Sequence, residues 1–476
     1  MLVFGKSGVN DPAKLETIFA KRPLLGEILK KSGHLSLPAY MAETLKKISE
    51  PHSERRTEFL KTMEPLVGKR FGKTIADSVR KQLEKYFWMS SADHHGSAQS
   101  SLVISSNALL SVGCGDVEDP LLQNIIVLSC SSVSQNNEDY PRGIMLHAED
   151  RDTYRLLKYP LLHHDYRNSA VFHFQPYEKS AVDKVSEALQ KSMRKKELQD
   201  PHGKKILSVL QSIYAKEEVL QSKSLCEQFS RINFDLWKEI FHQDVRAKNL
   251  LYIEFEEIVN ALLIDHHMDA KTPLHAILFD PAFDASFIRP LCTRMEEFIR
   301  QGALGTYLFW GLTPDKNYRV RLERVGNTLQ SADGILRYPL EPAALKKALE
   351  DRLLMPNIFT LFLVVYLYYG LNCMGGFNQL HYLDLMKRFY NESGIDELPC
   401  TAESNLYTFG LDTIFLRDKA DTLIPVLGLD LVLEGSATLW AEYAQAMKEL
   451  TLQSAFDANT DIIYGIFSIT ESPATP

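Results

Sequence analysis

The sequence predicts a mixed α/β protein, and three observations carry that prediction. Residues 124–130 form a short apolar run rich in β-branched side chains, the mark of a buried strand. Residues 178–246 carry apolar positions at helical spacing. Hydrophobic residues make up 45% of the 476-residue chain and charged residues 24%, which is enough apolar surface for a large core. In chain order, residues 1–86 read as a helical segment, with Ile75, Val79, Leu83 and Tyr86 on one face. Residues 87–177 read as an α/β core, with strands at 124–130, 144–147 and 170–174. Residues 178–246 read as an inserted helical hairpin. Val182, Val185, Leu189 and Met193 form its first stripe, which Pro201, His202 and Gly203 break. Residues 247–476 read as a second α/β region. There Val320 and Leu322 alternate with Arg319, Arg321 and Glu323, the pattern of a half-exposed strand in a hairpin. Leu439, Tyr443, Met447 and Leu450 mark a late helix that Ser436 is placed to cap.

Bulk properties exclude several function classes. A net charge of -8 lacks the concentrated basic footprint of a nucleic-acid binder, so no nucleic-acid partner is expected. The most apolar run, 358–371, would span only about 21 Å as a helix, against roughly 30 Å of bilayer core. It reads as a buried helix, and no membrane partner is expected. Residues 1–6 lack the apolar stretch of a secretory leader, so a cytoplasmic location is expected. Cys114, Cys130, Cys226, Cys292, Cys373 and Cys400 form no CxxC pair and read as reduced, mostly buried thiols.

Residues of chemical interest concentrate between Ser90 and His173. Ser90, Ser91, Asp93, His94, His95 and Gly96 follow an aromatic and apolar stretch and precede a small-residue run ending at Asn107. Rossmann-like strand–loop–helix units present side chains and backbone N–H groups at strand ends in this way. His94 or His95 is the expected proton-transfer residue, oriented by Asp93. Adjacent strand residues point to opposite faces, so one of the two histidines should face the site. Ser131, Ser132 and Ser134 follow the 124–130 run and are expected, with Arg167, to bind the anionic part of a substrate. Gly376, Asn378 and Gln379, after a buried helix, are expected to close over it. Cys114 and Cys130 are weaker nucleophile candidates, since buried structural cysteine is the commoner case.

Six of the 14 histidines fall between residues 94 and 173. His94, His147, His163 and His164 are therefore also candidate ligands for Zn²⁺, Fe²⁺ or Mn²⁺, although no HxH, HxxxH or HExxH spacing supports them. Two triplets, Asp93-His94-His95 and Asp265-His266-His267, resemble the signature triplet of the DHH phosphoesterases. The separate upstream aspartate motifs of that family are missing, and Ile258, Leu262 and Asp265 continue a helical stripe through the second triplet. The residues together lead to an enzyme acting on a small polar, anionic metabolite, by group transfer, ligation or hydrolysis. A metal-dependent hydrolase or oxygenase and a non-catalytic binding or scaffold protein are the alternatives.

Overall fold

The computed structural model describes residues 2–5, 11–47, 52–91, 93–98, 100–137, 139–296, 305–406 and 414–469. The architecture is α/β, as the sequence predicts. At its centre lie five parallel strands. These are β1 (Trp88–Ser90), β2 (Asn124–Ser129), β5 (Asn249–Glu254), β6 (Asn372–Gly375) and β7 (Ser404–Leu406), in the spatial order β7-β6-β1-β2-β5. Two further strands, β3 (Gly143–Asp150) and β4 (Thr153–Pro160), form a separate antiparallel hairpin.

Side-chain alternation explains why the sheet is covered on both faces. Trp88, Ile125, Val127, Leu250, Tyr252 and Met374 enter one apolar layer. Met89, Ile126, Leu128, Leu251, Ile253 and Cys373 enter the other. Six helices bring the site elements into place. They are α1 (Ser53–Phe71), α2 (Lys73–Lys85), α3 (Ser101–Val117), α4 (Leu225–Ile240), α5 (Phe255–Leu262) and α6 (Phe377–Glu392). The first layer packs on α3 and α4, and the second on α1, α2 and α5. Buried along most of its length, α3 carries Ser105, Ser106, Asn107 and Ser111 in its packed region.

Several expectations are corrected. Residues 170–174 form no strand. They make only an isolated bridge from Ala170 to Ser134, and His173 turns the chain with a left-handed φ of 53°. The returning strand at 144–147 exists, but it pairs with β4 and not with the central sheet. The sheet draws strands from 88–406, across the expected boundaries at 177/178 and 246/247. The 178–246 segment holds four helices, and the first of them ends at Arg194, before Pro201, which instead sits in the first turn of the helix Asp200–Val209. The late helix Leu439–Glu449 has Thr438 as its N-cap, and Ser436 Oγ accepts the Thr438 N–H at 3.1 Å. The 358–371 run is buried, and among the described residues no helix is long and apolar enough to cross a membrane.

Candidate active site

The strand order places a topological switch point between β1 and β6. From β1 the chain crosses to β2 on one side, while β6 lies on the other side of β1. The loops leaving the carboxyl ends of β1 and β6 therefore diverge, which is where open α/β sheets bind ligands. Two groups of residues singled out in the sequence meet here. Gln379 Nε2 donates to Ser91 Oγ at 2.9 Å, and Ser91 N–H donates to the Met374 carbonyl at 3.0 Å. A glycine at 375 makes the approach possible, because a Cβ there would stand 2.2 Å from the Gln379 amide carbon. Helix α6 starts at Gly376 with no capping side chain, so its first N–H groups face the end of the sheet without one.

Asp93 and Asn107 also come together. Asp93 Oδ2 accepts from Asn107 Nδ2 at 3.0 Å and from the Tyr252 hydroxyl at 2.8 Å. Burial raises the Asp93 pKa to about 6, against the two bonds that favour its charged form. The folded state thus holds this proton up to about pH 6, whereas the unfolded chain releases it near pH 4. Between those values the folded state binds more protons, so stability falls as pH rises. Asp93→Asn should remove this loss and gain stability of up to about 3 kcal/mol at pH 7.5, with no gain at pH 3.5. Urea unfolding of both proteins at the two pH values checks the expectation.

The two adjacent histidines have different fates. His95 is fully buried, with Nε2 2.9 Å from the Cys226 carbonyl and Nδ1 2.6 Å from Ser129 Oγ. A carbonyl only accepts, so Nε2 carries the proton and Nδ1 accepts from the hydroxyl. Both ring nitrogens are then satisfied inside the protein. Burial lowers the His95 pKa to about 4, although the Cys226 bond opposes the shift, and the ring is neutral. Of the two adjacent histidines, His95 is therefore the one turned into the protein. His94 keeps 43% of its side chain exposed, with Nδ1 3.3 Å from Asp139 Oδ2. The carboxylate recorded beside the His94 imidazole is Asp139, while Asp93 Oδ2 accepts from Asn107 and Tyr252.

The serine loop is an anion site already filled from within. Glu256 is fully buried and accepts from Ser131 N–H at 2.9 Å, Ser131 Oγ at 2.6 Å and Ser132 N–H at 2.8 Å. Ser134 takes part in the bridge to Ala170, and Arg167 is exposed, giving its backbone carbonyl to Asn136. Ser90 is buried in β1, and Gly96 packs its backbone carbonyl on Asn233 at 2.8 Å.

The four candidate metal histidines lie in three places. His94 is at the crevice. His147 clamps the β3–β4 hairpin to buried Asp430, through Nδ1 at 2.6 Å and its own N–H at 2.7 Å. His163 and His164 are exposed and neighbour Asp165. Among the described residues two groups bring three ligand atoms within 4.8 Å of one another, His95–Cys226–Glu254 and His163–His164–Asp165. Neither includes His94 or His147. In the first group every member has an internal partner: His95 on Ser129, Cys226 Sγ on the Val171 carbonyl at 3.2 Å, and Glu254 on Arg70 at 2.5 Å. Burial raises the thiol pKa values of Cys226 and Cys130 well above the ordinary range, and that of Cys114 to about 12, so all three are protonated.

Sequence reasoning missed Asp139, Tyr252, Glu256 and Gln135. Gln135 is fully buried, and neither of its side-chain amide atoms has a partner among the described residues. Asn107 Oδ1 and Asn378 Oδ1 are likewise buried without one. Asp139 and Gln135 fall in the polar turn after β2, a signal that the serines overshadowed. The second Asp-His-His triplet closes a helical turn, and His267 bonds Thr272 and Tyr369 there. Compared with known proteins, the chain matches no protein family and no curated relative.

Proposed function

We propose that the protein is an enzyme acting on a small polar, anionic metabolite at the crevice between β1 and β6. The observation that carries this reading is a set of buried hydrogen-bonding atoms without partners among the described residues, on three segments that adjoin the β1 loop. Asn107 Oδ1 sits on the side chain that holds Asp93. Gln135 belongs to the turn whose Asp139 meets His94, and Asn378 precedes the Gln379 that reaches Ser91. A buried polar group without a partner costs about 1–3 kcal/mol, and a polar ligand offsets that cost. The N–H groups that open α6 favour an anionic group on the ligand. His94, held at Nδ1 by Asp139, presents Nε2 for proton transfer. Group transfer or ligation fits this arrangement, and so does hydrolysis.

A thermal-shift screen of anionic metabolites on wild type, Gln379→Ala and Gly375→Ala tests the reading. The expected result is a stabilising ligand whose shift is lost in Gln379→Ala. It should also be lost in Gly375→Ala, where the new Cβ displaces the Gln379 amide. Ligands that stabilise all three proteins equally would place binding elsewhere. A screen without hits would favour a scaffold role.

A further inference from the structure

The strand Leu322–Val325 alternates in burial, with Leu322 and Arg324 inward and Glu323 and Val325 outward. Arginine at an inward position is costly unless an anion meets it. Arg324 is 8% exposed. Its Nη1 donates to the Tyr307 hydroxyl at 3.1 Å and its Nε to the Gly326 carbonyl at 3.1 Å, both uncharged acceptors. Its Nη2 is shielded from water and has no partner among the described residues. Arg70, the other deeply buried arginine of the second apolar layer, bonds two glutamates instead.

Arg324 borders a cavity of about 420 Å³ that Arg289, Arg321, Thr293, Tyr307 and Glu323 also line. That volume is within the range of small-molecule sites. Arg289 and Arg324 stand 5.8 and 5.9 Å from the Tyr307 ring centroid. Asp284 pairs with Arg289 at 3.0 Å and Glu323 with Arg321 at 3.6 Å. Among the described residues, Arg324 is the guanidinium of this wall without a carboxylate.

We propose that this cavity is an oxyanion site, distinct from the β1–β6 crevice, which takes a small phosphate-bearing ligand. Its oxygens would pair with Arg289, from a helix, and with Arg321, from the residue before the strand Leu322–Val325, and would reach the shielded Arg324 Nη2 by a local shift of those two exposed side chains. Guanidinium forks match phosphate oxygens in pairs, and three of them suit a polyanion.

Isothermal titration with inorganic pyrophosphate, with succinate as the carboxylate comparison at matched ionic strength, tests the site. Pyrophosphate should bind, and Arg321→Ala and Arg289→Ala, both at solvent-exposed side chains, should each weaken it by about tenfold or more. Arg324→Met should abolish binding with an equal or higher Tm, because it removes a buried charge that lacks a counter-ion. Absence of pyrophosphate binding would overturn the proposal. So would binding unchanged in the two surface variants, or tighter binding of succinate.

Discussion

Arg70→Met is expected to destabilise the fold by about 3–5 kcal/mol, the cost of leaving a buried charge without its partner. Arg70 closes α1 and has no exposed side-chain surface. Its Nη2 meets Glu254 at the end of β5 and Glu257 in the first turn of α5. Desolvation opposes its charge, but the two glutamates outweigh that effect and raise its pKa above the ordinary arginine value. Glu254 is only 3% exposed in its side chain, so methionine at 70 would strand a buried carboxylate. The double variant Arg70→Met with Glu254→Met should recover most of the loss, because a buried pair replaced by apolar groups of similar size is close to neutral. A double-mutant cycle by urea unfolding measures the coupling. Additive losses would show that the pair does not act as a unit.

His94→Ala is expected to lower kcat by about 10²–10⁴-fold on whichever substrate the screen identifies, the usual contribution of a positioned proton-transfer group. The fold should be unaffected, since 43% of the side chain is exposed. Asp139→Asn should lower kcat less and shift the pH profile, because it changes the group that holds Nδ1 and leaves the imidazole in place. KM should change little in both. His95→Ala should behave differently, reducing stability through the lost Ser129 and Cys226 bonds. Equal kinetic losses in His94→Ala and His95→Ala would contradict the division of roles.

Local pattern carried the parts of this fold that depend on local physics. β2 was legible because both of its faces are apolar, and α2 because Val79 and Leu83 recur on its buried side. Residues 90–96 and 375–379 stood out as glycines and polar residues at the ends of buried elements, but their meeting depends on the strand order, which local pattern does not carry. The 170–174 run was misread because its apolar residues enter the core through irregular backbone. Val171 and Phe172 donate to the Val133 and Ser131 carbonyls, and His173 turns left-handed. Long-range partners were beyond reach. Glu256 fills the serine loop from 125 residues away, and Cys226 pins His95 from 131 away. Residue type showed that Ser131 and Ser132 can bind an anion, and tertiary packing supplied one.

A crystal structure of the protein with a ligand from the screen tests the central claim most directly. Density bounded by His94, Asn107 and Asn378, with an anionic group at the start of α6, is the predicted result. Density elsewhere, with the β1–β6 crevice holding only ordered water, would contradict the account.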